Sequence, residues 1–185
     1  MTDLIQTYPD LVLLTMDQMS LYFQATLTRV WSPVGQTPVI RISPQRDQVH
    51  FYGALEVRLG REFAVTAPEE TTEVTPDLVR LLLVLYPTQH ILLLLDRAPW
   101  HHGPALNQVL DENPRLELVY FPPACPDLNP QEHVWERARD AISHHHTYPI
   151  FDRLISDFED YLNETYFESG FMEHYAPPID TAIFE

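Results

Sequence analysis

The chain has 185 residues, of which 27 are acidic and 11 are basic, so its net charge is −16. Every basic residue is an arginine, and there is no lysine. With 45% hydrophobic residues it can bury a core, which excludes a disordered chain, and its one cysteine excludes an internal disulfide framework and a cysteine-built zinc site. No apolar run approaches the roughly 20 residues that span a bilayer, and the first residues lack the pattern of a signal peptide, so we expect a cytoplasmic protein.

The first half of the chain predicts strands separated by turns. Residues 11–16 are short, apolar and rich in branched side chains, which is typical of a buried strand, and this strand is predicted to end at Asp17. Residues 39–42 and 49–55 predict two further strands on either side of a polar turn. A last short extended piece is expected within 60–74.

The second half alternates helices and strands. Thr75 is predicted to cap a helix over 75–86, with proline in its first turn, and this helix is apolar on nearly all sides, which predicts that it is well buried. The remaining predicted elements are a strand over 90–95 that ends at Asp96, a helix over 104–112, a strand over 116–121, and helices over 129–143 and 151–161.

This order of elements predicts a single α/β domain over 1–185. Hairpin strands followed by strand–helix–strand crossovers favour a mixed sheet, here of five strands, with helices on both faces. The order resembles that of the ribonuclease H-like fold.

Two buried strands are each predicted to end in an aspartate, Asp17 in one and Asp96 in the other. Because ligand sites of α/β sheets prefer the carboxyl ends of the strands, we expect the two carboxylates to lie together at one edge. Two neighbouring carboxylates are unfavourable unless a cation lies between them, and hard oxygen ligands suit Mg²⁺ or Mn²⁺.

A third acid, Glu132, follows a proline-rich segment that begins at Pro122. Asn129 is placed to cap the next helix, Pro130 takes its first position, and Glu132 falls in its first turn, where it can point towards the sheet edge. A buried stripe on this helix would hold it against the sheet.

Structural alternatives exist for each of these residues. Asp17 and Asp96 are ordinary strand-end turn residues taken singly, and an Asn-x-x-Glu capping box accounts for Glu132. The run of three histidines at 144–146 fits a solvated helix end better than a metal site. Cys125 fits a small packing residue, and the tryptophans 31, 100 and 135 fit packing positions, although Trp100, four residues after Asp96, is also a candidate to contact a ligand.

Sequence blocks around these acids resemble a known family. The segment Asp96-Arg-Ala-Pro-Trp-His101 and the segment Pro122-Pro-Ala-Cys-Pro-Asp-Leu-Asn-Pro-Gln-Glu132 resemble the second and third catalytic blocks of the mariner-like DDE transposases. Their bacterial insertion-sequence relatives, the DDE superfamily endonucleases, match more closely. Two shorter blocks, 31–35 and 52–55, resemble segments that follow the first aspartate.

The resemblance implies a function and a set of site residues. It implies metal-dependent cleavage and transfer of DNA strands, with two Mg²⁺ or Mn²⁺ ions bound by Asp17, Asp96 and Glu132. It places His101 and Asn129 beside the site without a chemical role. Arg97 and Trp100 are expected near the DNA because they closely follow Asp96 in the sequence. The sequence departs from the usual pattern at four positions, none of them a triad acid: Gln18, Arg97, Ala124 and Cys125.

The partners follow from the resemblance as well. Transposases of this type carry a helix-turn-helix region before the catalytic domain, and the first acid here is already residue 17, so we expect such a region to be absent from this chain. A separately encoded helix-turn-helix protein is therefore a candidate partner. Expected partners are transposon ends, target DNA and a second copy in a homodimer. The alternatives are a non-transposing nuclease of this fold and a catalytically silent remnant that regulates a transposase.

Overall fold

The structure is a computed structural model that describes residues 10–25, 31–36, 39, 46–123 and 128–170. Of the sequence predictions, positions 40–42 of the second predicted strand and Cys125 lie outside these residues.

The described elements follow the predicted order. The strands are β1 (Val12–Tyr22), β2 (Gln48–Glu56), β3 (Arg61–Ala67), β4 (Ile91–Leu95) and β5 (Leu116–Tyr120). The helices are α1 (Val74–Leu85), α2 (Pro104–Glu112), α3 (Pro130–Ala138) and α4 (Phe151–Glu164), with a 3-10 turn at Pro99–His101 and a π-helical turn at Arg139–Ser143 directly after α3.

The five strands form one mixed sheet in the order β3-β2-β1-β4-β5. β1 pairs antiparallel with β2 and parallel with β4, while β2 and β3 form an antiparallel pair and β4 and β5 a parallel one. β1 is therefore the central strand, with the hairpin strands on one side and the crossover strands on the other. The predicted mixed five-stranded sheet is confirmed.

Helices cover both faces of the sheet, because alternate residues of each strand point to opposite sides. Apolar residues of α1 and α2 pack with one set of strand residues, among them Leu14 and Leu93. Those of α3 and α4 pack with the opposite set, including Leu21 and Phe51. Trp135 of α3 is the largest fully buried side chain on that second face.

The first turn and the outer face of α1 differ from the sequence prediction. Helix α1 begins at Val74 after Glu73, so Thr75 lies inside its first turn, and its side chain bonds elsewhere. Leu78, Val79 and Leu82 are buried, but Leu81, Val84 and Leu85 are exposed, so the predicted burial holds for one side of the helix only. Apolar residues alone do not reveal which side of a helix another element covers. No helix among the described residues is long and apolar enough to cross a membrane.

Candidate active site

Asp17 lies in the middle of β1, and the prediction that the strand ends there was wrong. It pairs with Gly53 of β2, and the strand continues to Tyr22 because β2 pairs with it along this whole stretch. The parallel pairing with β4, however, stops at Met16 opposite Leu95. Extending that register by one residue brings Asp96 beside Asp17, so the two acids do meet at one edge of the parallel part of the sheet.

Asp96 leads into a tight turn that returns towards β1. Its Oδ1 accepts a hydrogen bond from the backbone N–H of Ala98 at 2.9 Å, as expected for an aspartate that starts a turn. The 3-10 turn that follows brings the ring of His101 back to 3.5 Å from the same oxygen. Asp17, Asp96 and His101 each offer one ligand atom, and these atoms lie within 4.8 Å of one another.

Glu132 lies in the first turn of α3, and the Asn129 side chain caps this helix by accepting a hydrogen bond from the backbone N–H of Gln131 at 3.2 Å. Glu132 itself is exposed and is not part of the group of three ligand atoms. Its charge nevertheless raises the pKa of Asp17, which places the glutamate within electrostatic range of that carboxyl. The helix is joined to β1 directly, since the indole N–H of Trp135 donates to Asp17 Oδ2 at 3.2 Å.

A close approach between α3 and the sheet makes this arrangement possible. Gly53 lies opposite Asp17, and a Cβ there would come within 3.0 Å of atoms of Glu62, Trp135 and Gln131. The amide of Gln131 donates to the buried carboxyl of Glu62 at 2.7 Å, and burial raises the pKa of Glu62 well above its usual range. Position 53 must therefore be glycine for α3 to bring Trp135 and Glu132 to the edge.

The electrostatics of the site favour an added positive charge. The pKa of Asp17 is raised to about 7, first by burial, then by the charge of Glu132 and to a smaller degree by that of Asp96; hydrogen bonds from Gln18 and Trp135 only partly oppose this. Burial lowers the pKa of the His101 ring to about 4, although the charge of Asp96 acts in the opposite direction. At neutral pH Asp17 is thus about half protonated and the His101 imidazole is neutral, so an added cation would favour the ionised form of Asp17.

Arg97 and Trp100 both lie in the short segment after Asp96, Arg97 directly after it and Trp100 within the 3-10 turn. The exposed Arg97 guanidinium is 5.5 Å from the ring centre of Tyr120, at the end of β5. Trp100 is half-buried and packs against the core on the α1 side of the sheet, and Trp135 is fully buried. The packing prediction is therefore confirmed for these two tryptophans. Trp31, by contrast, is fully exposed, so the packing prediction was wrong for that residue.

The three histidines at 144–146 lie away from this edge. His144 lines a cavity with Ser20 and Tyr22, at the far end of β1, and pairs with Asp140 at 3.4 Å. His146 is buried against Phe23, so the prediction of a solvated helix end was wrong for that residue.

Sequence reasoning missed Thr75, Tyr120 and the Trp135 indole as neighbours of the site. Only Trp135 had a local signal, because it lies one helical turn beyond Glu132 on the buried stripe.

Residues 12–155 match the family of DDE superfamily endonucleases. The chain belongs to this family. An uncharacterized Sinorhizobium fredii protein, y4pE/y4sA, is 30% identical over 112 residues, which are 60% of this chain and 75% of that protein. The uncharacterized 39 kDa protein of insertion element IS630 from Shigella sonnei is 23% identical over 131 residues, covering 70% of this chain and 38% of that protein.

The fold of this DDE domain is also that of a solved transposase. The Mos1 transposase in its paired-end complex with the left transposon end superposes with a TM-score of 0.67 at 16% identity, over 90% of this chain and 52% of that one. The ribonuclease H-like fold expected from the sequence is thereby confirmed. The chain spans about half the length of the Mos1 transposase and 38% of the IS630 protein.

Proposed function

We propose that this DDE domain is the catalytic domain of a transposase, which cleaves DNA strands and joins them to a target by metal-dependent phosphoryl transfer. The observation that carries the proposal is the meeting of Asp17 and Asp96 at the end of the parallel strand pair, within electrostatic range of Glu132 on α3. Membership of the endonuclease family supports the class of reaction.

The residues present fit divalent metal ions. Asp17 is nearly buried, and both neighbouring carboxylates raise its pKa, so a cation would relieve an unfavourable arrangement. Carboxylate oxygens are the ligands that Mg²⁺ and Mn²⁺ prefer, and Mos1 complexes of the same fold have been solved with Mg and with Mn. We propose that Asp17, Asp96 and Glu132 hold two such ions.

Each carboxylate is positioned by a different part of the fold. Asp17 is fixed by strand pairing and by the Trp135 indole, and Asp96 by the backbone N–H of Ala98. Glu132 is held in a capped first turn, where the helix dipole favours a negative charge. When bound, the ions would activate a water molecule or a DNA 3′-hydroxyl as nucleophile and neutralise the charge that develops on the leaving oxygen. The protein itself supplies orientation and a preorganised electrostatic environment.

DNA is the proposed substrate, although the chain carries a net charge of −16. A charge of this sign repels phosphates overall, so we propose that the reading of transposon ends belongs to a basic helix-turn-helix region outside this domain. Arg97, exposed beside Asp96, is the cation best placed to meet a phosphate near the site. Because the Mos1 complexes are paired-end complexes, we also propose that two copies act together.

A cleavage assay beside a gel shift on the same DNA tests this function. The domain is fused to a basic DNA-reading domain, and Asp96→Asn is compared with Asp111→Asn, which removes one charge from the exposed side of α2. We expect Asp96→Asn to bind DNA normally and to lose cleavage roughly a thousandfold, because the loss of a ligand worth about 4 kcal/mol of transition-state stabilisation has that effect.

The outcomes separate the rival functions. Cleavage at the unsubstituted rate by Asp96→Asn would refute the metal mechanism. Cleavage without joining of a terminal-repeat end to target DNA would indicate a nuclease, and binding without cleavage by the unsubstituted protein would indicate a silent regulator.

A further inference from the structure

His101 is a buried residue with one ring nitrogen that protein atoms leave unsatisfied. Its side chain has no exposed surface. Its Nδ1 lies 3.0 Å from the hydroxyl of Thr75, whose side chain is equally buried in the first turn of α1. Its Nε2 is buried too, and among the described residues it has no hydrogen-bond partner.

The unsatisfied nitrogen faces the two aspartates. Nε2 lies 3.5 Å from Asp96 Oδ1 without the geometry of a hydrogen bond, and that oxygen already accepts from the N–H of Ala98. A buried polar atom without a partner costs about 1–3 kcal/mol, so a native site that retains one has a reason to do so. A ligand placed among Asp17, Asp96 and His101 would satisfy the nitrogen and both carboxylates at once.

We propose that His101 Nε2 is a protein ligand of the same divalent ion that Asp17 and Asp96 hold, and that Thr75 orients its ring. The proposal rests on the metal-dependent function above and deepens it, because it adds a nitrogen to a set of carboxylates. Metal-bound histidines commonly fix their tautomer through a hydrogen bond from the other ring nitrogen, and the Thr75 hydroxyl is in the position to accept one from Nδ1.

The fold explains why the ring reaches this position. The 3-10 turn Pro99–His101 reverses the chain directly after Asp96, and the carbonyl of His101 accepts a hydrogen bond from the Tyr120 hydroxyl at 3.3 Å. The ring is thus held by α1 at one nitrogen and by β5 through its backbone. An imidazole nitrogen suits Mn²⁺ better than Mg²⁺, which keeps to oxygen ligands, so this site should favour manganese.

Electron spin-echo spectroscopy of the protein with Mn²⁺ tests the proposal directly. A nitrogen bound to Mn²⁺ gives a ¹⁴N modulation, and growth on ¹⁵N-histidine should convert it into a ¹⁵N signal in the unsubstituted protein. We expect the signal to disappear in His101→Gln, which fills a similar volume without a ring nitrogen. It should persist in His133→Ala, a control at an exposed histidine of α3 that does not contact Tyr120 or Thr75 among the interactions of the described residues.

Mn²⁺ affinity provides the second measurement. Thr75→Val keeps the shape of the side chain and removes the hydroxyl, and we expect it to weaken Mn²⁺ binding about tenfold, within the range found for such supporting residues. His101→Gln should weaken it at least as much, and both variants should shift the preference of the site from Mn²⁺ towards Mg²⁺.

The failure of this proposal differs from the failure of the function. If Mn²⁺ binds in a manner that requires Asp17 and Asp96 but the unsubstituted protein shows no histidine nitrogen signal, the His101 ligand is refuted and the metal site stands. If Asp17→Asn and Asp96→Asn leave Mn²⁺ affinity unchanged, the ion binds elsewhere and the proposed function fails as well.

Discussion

Replacing Asp17 by asparagine should stabilise the metal-free protein at neutral and alkaline pH. Asparagine has nearly the same size as aspartate and can still accept the hydrogen bond from the Trp135 indole, but it carries no charge. The unsubstituted carboxyl must ionise in a nearly buried place beside two other acids, and its pKa is raised from 3.8 to about 7. The substitution removes that cost.

The magnitude and the pH range follow from the shift in pKa. Between pH 3.8 and about 7 the folded state keeps a proton that the unfolded state has lost, so stability falls as pH rises through this window. About three pH units at 1.36 kcal/mol each give a cost on the order of 4 kcal/mol above pH 7. The free energy of unfolding of Asp17→Asn should therefore exceed that of the unsubstituted protein by up to about 4 kcal/mol at pH 8 and by only about 2 kcal/mol at pH 5.

Urea unfolding and thermal unfolding in the presence of a chelator measure this difference. At pH 8 the melting temperature of Asp17→Asn should lie roughly 10 °C higher, and Asp111→Asn, which also removes one negative charge, should show no such gain. Adding Mn²⁺ at a hundredfold excess over its Kd should stabilise the unsubstituted protein by about 2.7 kcal/mol and leave Asp17→Asn almost unchanged. An Asp17→Asn protein that is no more stable at pH 8, or whose advantage does not change with pH, would refute the electrostatic argument.

Two further substitutions test the packing and the helix end by thermal unfolding. Gly53→Ala should cost about 2 kcal/mol or more, because its Cβ would overlap the rigid, fully buried ring of Trp135 as well as the side chains of Glu62 and Gln131. It should also abolish the Mn²⁺-induced rise in melting temperature. A stable variant with an intact Mn²⁺ response would contradict the close approach of α3. Arg115→Met should lower the melting temperature by about 6 °C, because the guanidinium donates to two carbonyl groups at the end of α1 and to one in the segment between α1 and β4. A variant as stable as the parent would show that those bonds contribute nothing.

Elements whose signals are local could be predicted from the sequence. The helix after Gly103 has the predicted bounds, and the buried run before Asp96 forms β4 as expected. Asn129 caps α3 as its position before Pro130 indicated. In each case a short-range pattern of apolar residues, prolines or capping side chains determines the structure, so no knowledge of distant partners is needed.

Features that depend on distant partners could not be predicted. β1 continues past Asp17 because β2 pairs with it, and nothing near Asp17 in the sequence reveals that pairing. Thr75 has the local pattern of a helix cap, but its hydroxyl bonds to His101, 26 residues later. The proximity of His101 to the aspartates likewise depends on a turn whose direction is set by the packing of Tyr120 and α1.

Because β1 is the central strand, the three carboxylates of the site lie in segments of different local stability. Asp17 lies on the central strand, one residue past the last pair with β4 and still paired with β2, so we expect its backbone to open only when the sheet itself unfolds. Asp96 precedes a short turn and Glu132 starts a helix, and both segments can open locally at a much smaller free-energy cost. The site therefore has one fixed carboxylate around which the other two assemble, and a bound ion would slow hydrogen exchange at residues 97–103 and 130–133 far more than along β1.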